Sequence, residues 1–128
     1  MKEALRYLHN AQEILKSAPI EDHLYLDPKP VQEACGTAYL AVLKAIDEYL
    51  LGRGVDKKKL PHSVDGYRQL LKKYGGIHNG KLLRNFEGLY EELHIAGYYR
   101  GNLHSVGMVR EALKTAREFI DKLGSSVS

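Results

Sequence analysis

Val31–Leu51, VQEACGTAYLAVLKAIDEYLL, decides the fold. Between Ala34 and Leu51 its charges are Lys44, Asp47 and Glu48, three and four apart on one face. The other faces carry Cys35, Tyr39, Val42, Ile46 and Tyr49, a small-residue stripe of Ala34, Ala38, Ala41 and Ala45, and Leu40, Leu43 and Leu50. A helix apolar over most of its circumference must be covered on several sides, so this segment predicts the central rod of a bundle. Its alanines let a neighbouring helix approach closely, while tyrosines and leucines fill the wider gaps.

Outward from the rod, the apolar residues recur at helical spacing. Ala4, Leu5, Leu8, Ala11, Ile14 and Leu15 predict a first helix from about Lys2 to Ser17, ended by Pro19. Val64, Tyr67, Leu70, Leu71 and Tyr74 predict a helix capped by Ser63 and stopped at Gly75–Gly76. Leu82, Leu83, Phe86, Leu89, Tyr90 and Leu93 predict a helix starting near Asn79 and fraying or bending between Ala96 and Gly101. Val106, Val109, Leu113, Ala116, Ile120 and Leu123 predict a last helix from about His104 to Leu123. Residues 1–123 are therefore expected to form one all-α domain, an antiparallel bundle of four to five helices, with 124–128 a disordered tail. No stretch alternates apolar and polar residues over a strand's length.

Two connections stand out. APIEDHLYLDPKP, residues 18–30, is long for a bundle; its prolines keep it out of helix, yet Ile20, Leu24, Tyr25 and Leu26 are too apolar for a free linker. It is expected to pack across the bundle with at most a short helical turn, or to belong to a partner surface. GRGVDKKKL, residues 52–60, reads as an exposed basic turn.

Composition narrows the classes of function. With 128 residues the chain can bury a core without staples, and a net charge of +3 permits nucleic-acid contact without arguing for it. Cys35 is the single cysteine, so no disulfide forms within the chain. There is no signal-peptide pattern and no apolar run long enough to span a membrane, which fits a soluble, cytoplasmic protein. The six histidines, His9, His23, His62, His78, His94 and His104, show no helical ligand spacing, and no phosphate loop or nucleophile elbow occurs, so neither metal nor cofactor is expected.

The chemically richest segment is His94–His104, HIAGYYRGNLH. Arginine offers a planar fork for phosphate, and histidine exchanges a proton near neutral pH. Arg100 and His104 are thus a candidate catalytic pair, with Tyr98, Tyr99 and Asn102 as binding residues beside them. The same residues also suit a structural role, Arg100 and Asn102 satisfying carbonyls at a helix end and the tyrosines filling the rim.

ACGTAYLAVLKAIDEYLLGRG followed by PHSVDGYRQLL resembles the second and third helices of HEPN domains, and GLYEELHIAGYYRGN with the spacing of Ala112, Ala116, Phe119 and Ile120 resembles the last two. The resemblance spans Val31 to Leu123 and rests on alanine, leucine and tyrosine spacing. The sharp signature of that superfamily is an arginine followed, after four to six intervening residues, by a histidine near the start of the last helix, at the site of metal-independent ribonucleases formed across a dimer. Here Arg100 and His104 have three residues between them. On a continuous helix one residue fewer turns a side chain by about 100°. The resemblance therefore implies a non-catalytic helical binding module, expected as a homodimer and in some relatives paired with a small nucleotidyltransferase. A toxin-type endoribonuclease acting on RNA through Arg100 and His104 is the alternative, and binding of a nucleotide or small anion beside Arg100 a third. The surfaces expected to bind are Tyr98–His104 and the loop around His23, Tyr25 and Asp27.

Overall fold

A computed structural model describes residues 1–76 and 80–127. Among these, five helices pack together with a small hairpin. The helices are α1 (Lys2–Lys16), α2 (Pro28–Gly52), α3 (Val64–Tyr74), α4 (Lys81–Leu89), which runs on as a π-helix over Tyr90–Tyr99, and α5 (Val106–Val127). α1, α5 and the π-helix pack most extensively on α2. Ala34, Ala38, Ala41 and Ala45 are fully buried along it, together with Cys35, Val42, Ile46, Tyr49 and Leu50. The rod is central because its faces are covered by different neighbours, as its girdle of apolar residues requires.

α1 buries Ala4, Leu8 and Ala11, and α5 buries Val109, Ala112, Leu113, Ala116, Phe119, Ile120 and Leu123. α3 is tied down by polar contacts as well as by Tyr67 and Leu71. The Tyr67 hydroxyl donates to Asp47 Oδ1 at 2.9 Å, and the Tyr49 hydroxyl donates to the Tyr74 carbonyl at 2.9 Å. Ser63 caps α3, its Oγ accepting from the Gly66 N–H at 3.0 Å. Among the described residues no helix is long and apolar enough to cross a membrane.

Several boundaries differ from those expected. α2 starts at Pro28, three residues early: Asp27 caps it, accepting from the Lys29 N–H at 3.0 Å, and prolines in a first turn sacrifice N–H groups that lack helical partners anyway. Residues 20–25 form strands, not a turn of helix: β1 (Ile20–Glu21) pairs antiparallel with β2 (Leu24–Tyr25), Ile20 opposite Tyr25 and Glu21 opposite Leu24. Asp22 and His23 make the turn with φ of 52° and 66°, the double left-handed geometry that matches strand twist in a two-residue hairpin. Leu24 also bridges Ser105. The basic loop holds a 3-10 turn at Lys57–Lys59, capped by Asp56. α5 runs past Gly124 to Val127; at Gly124 an added Cβ would lie 3.0 Å from Met1 Cγ. The expected start of the fourth helix near Asn79 lies outside the described residues, as does His78.

Candidate functional site

The segment expected to bend does so as a π-helix. The Arg100 N–H donates to the Ile95 carbonyl at 2.9 Å, one residue beyond α-helical reach, and the Asn102 N–H to the Ala96 carbonyl at 2.8 Å. Gly97 explains why this wide helix presses on α2: a Cβ there would lie 2.6 Å from Cys35 Sγ and 2.7 Å from Cys35 Cβ. Burial, then the Glu92 carboxylate, pushes the Cys35 thiol up to about 12, so it acts as a small apolar group.

Phe86, Tyr90, His94 and Tyr98, each four residues from the last, form an aromatic column along α4 and the π-helix. Successive centroids lie 6.5, 5.4 and 5.7 Å apart. Tyr39 of α2 inserts against it, 4.7 Å from His94, 6.0 Å from Tyr90 and 6.4 Å from Phe86. Arg68 stacks over Tyr90 at 5.2 Å while Glu87 and Asp65 hold its guanidinium at 2.6 and 2.8 Å. The Glu87 and then the Asp65 hydrogen bonds raise the Arg68 pKa further. Tyr39 is buried and its hydroxyl has no hydrogen-bond partner among the described residues. Burial first, then Tyr90, pushes that phenol up to about 12.

The outer end of the column opens into a groove of about 410 Å³. Glu33, Gly36, Thr37 and Leu40 of α2 form one wall, on a single helical face, and His94 and Tyr98 the other. The Tyr98 ring lies against Gly36, where a Cβ would be 2.7 Å from Tyr98 Cδ1. Leu40 and Tyr98 are 48% and 50% exposed, large apolar surfaces on elements otherwise given to the core. This groove suits a flat or aliphatic apolar partner with a polar rim. Sequence reading missed the column; the period of four from Phe86 to Tyr98 was its visible signal.

The expected site residues are placed as follows. Tyr98 lines the groove, and Tyr99 is 73% exposed beside it. Gln32 holds the segment, its Nε2 donating to the Tyr98 carbonyl at 3.1 Å. Arg100 closes the π-helix, Gly101 turns the chain with φ of 61°, and Leu103 is buried. Arg100, Asn102 and His104 are exposed, and among the described residues neither the Arg100 nor the His104 side chain makes a hydrogen bond or ion pair. His104 precedes α5 instead of opening it, and the chain leaves helix between the two residues, so the 100° helical offset does not apply to them.

The two expected binding surfaces meet. The Tyr25 N–H donates to the His104 carbonyl at 2.8 Å, and the Val106 N–H to the His23 carbonyl at 3.0 Å, so the hairpin is stitched to the segment that carries Arg100 and His104. Asp27 is occupied as the α2 cap. Among the described residues no group of three or more histidine, cysteine, aspartate or glutamate side chains is placed to hold a metal.

Set beside known proteins, the chain belongs to a family defined by a domain of unknown function, DUF5618, whose model matches residues 1–125. It is similar to a solved structure, a protein of unknown function from Dyadobacter fermentans, at 35% identity over 94% of this chain and 90% of that one, with a TM-score of 0.77. Among curated proteins none matches. Family and relative give the architecture and a bacterial homologue; neither name carries an activity.

Proposed function

We propose that this chain is a non-catalytic, HEPN-like helical module of the cytoplasm that acts by binding, as a homodimer, through the face formed by α2 and the π-helix. The exposed side chains of Leu40 and Tyr98, beside half-buried Gly36 and Thr37, carry this reading. Leu40 and Tyr98 protrude side by side, so a second copy can bury both across a two-fold axis. Tyr99 and the Arg100–His104 turn lie at the rim of such an interface, available to a further partner such as a small nucleotidyltransferase. Among the described residues no side chain orients Arg100 or His104, whereas a general base is ordinarily aimed by a second group.

One observation favours the endoribonuclease alternative: with the chain out of helix at Gly101, three intervening residues no longer separate the pair by a fixed rotation. Incubation with a panel of RNAs in EDTA tests both readings. We expect no cleavage from folded wild type. Cleavage that Arg100→Ala and His104→Ala each abolish would replace the binding module with a metal-independent ribonuclease.

A further inference from the structure

A second concavity, of about 640 Å³, lies between the end of α1, the hairpin and the first turns of α5. That is the size of a small-molecule site. Leu15, Ile20, Val106 and Leu113 give it an apolar floor, with Tyr25 rising from the hairpin. Lys16, Arg110, Lys114 and Arg117 surround the floor, and among the described residues no carboxylate lines the groove. The arrangement follows from sequence: Val106, Arg110, Leu113, Lys114 and Arg117 fall on one face of α5, and the hairpin turns Ile20 and Tyr25 to the same side because they are a directly opposed pair.

Two of the four cations are already partnered at the surface, Lys16 with Glu13 at 2.6 Å and Arg117 with Asp121 at 3.1 Å. Arg110 and Lys114 have no ion pair among the described residues. Tyr25 and Arg110 line the groove together, and Arg110 acts against the rise that burial imposes on the Tyr25 phenol. The groove thus presents apolar surface at its base and uncompensated positive charge at its edge, side by side within one ligand's reach.

We propose that this groove binds an amphiphilic anion, a small molecule with one apolar body and a carboxylate or phosphate head. The body rests on Leu15, Ile20, Val106 and Leu113, and the head meets Arg110 and Lys114. A polyanion such as RNA is favoured less, since its repeating phosphates would leave the apolar floor unused. A concave floor likewise suits a single molecule better than a bilayer surface. No groove residue is shared with the face proposed for dimerisation, so a monomeric protein could still bind the anion and a dimer could fail to.

Isothermal titration of the full chain, below the ligands' micelle concentrations, provides the test, with decanoate, decyl phosphate, decanol and inorganic phosphate as probes. We expect both decyl anions to bind, and decanol and inorganic phosphate each to bind at least about tenfold more weakly. Arg110→Ala combined with Lys114→Ala should weaken the anions by about tenfold or more, and Ile20→Ser should weaken them severalfold. All these positions are exposed, so melting temperatures should stay near wild type and confirm folding. Equal affinity for decanol, or anion binding untouched by the double substitution, would overturn the proposal. So would binding of single-stranded RNA or anionic vesicles, lost in the double variant, with no binding of either decyl anion.

Discussion

At Gly97 a missing side chain sets the distance between two helices. A methyl group there would stand inside the contact radius of Cys35 Sγ and Cβ and 3.1 Å from the Glu92 carbonyl, with backbone on one side and a fully buried residue on the other. Gly97→Ala should destabilise the fold by about 1–3 kcal/mol, read from chemical denaturation, because neither neighbour can yield without shifting a helix. Asp47 makes a second prediction. Burial raises its pKa, and the Tyr67 hydroxyl bond, Lys44 and His62 only partly oppose this. A carboxyl raised in the folded state holds its proton more tightly there than in the unfolded chain, so its contribution to stability falls as pH rises from the ordinary value near 4 through the folded value. Asparagine keeps the acceptor for Tyr67 and removes the charge. Asp47→Asn should therefore melt higher than wild type at pH 7, with the difference shrinking as pH falls through the raised folded value and lost by about pH 4.

Among the elements, the hairpin is the one whose backbone departs furthest from easy geometry. Asp22 and His23 both occupy the left-handed region that glycine or asparagine would normally fill. His23→Gly keeps the carbonyl that accepts from Val106 and relieves the side chain's strain, so it should raise stability by up to about 1 kcal/mol in thermal melts. The same residues explain what the sequence hid. Asp-His is not a recognised hairpin turn, two-residue strands show no alternation, and prolines at 28 and 30 disguised the first turn of α2. The rod, by contrast, was legible because between Ala34 and Leu51 its alanines, tyrosines and leucines left charge only on the narrow face of Lys44, Asp47 and Glu48. Tyr98 and Tyr99 stood out by composition, whereas the groove at Gly36 needed the π-helix, and a π-helix depends on the tertiary contact at Gly97 more than on local preference. The meeting of hairpin and Arg100–His104 segment is a long-range event that no spacing along the chain announces.

For the whole molecule, a core built on α2 leaves two open faces of different chemistry. One, along α2 and the π-helix, is apolar and aromatic with small residues at its centre. The other, between α1, the hairpin and α5, joins an apolar floor to a rim of arginine and lysine. The first suits a copy of the protein, the second a charged small molecule. Neither proposed role depends on a catalytic pair. The measurement that bears most directly on this account is the mass in solution by light scattering over a dilution series, for wild type and Leu40→Glu. The account predicts wild type at twice the 14.5 kDa chain mass and Leu40→Glu, equally well folded, at the single-chain mass. A wild type that stays at the single-chain mass at every concentration, or a dimer indifferent to the charge at position 40, would contradict it.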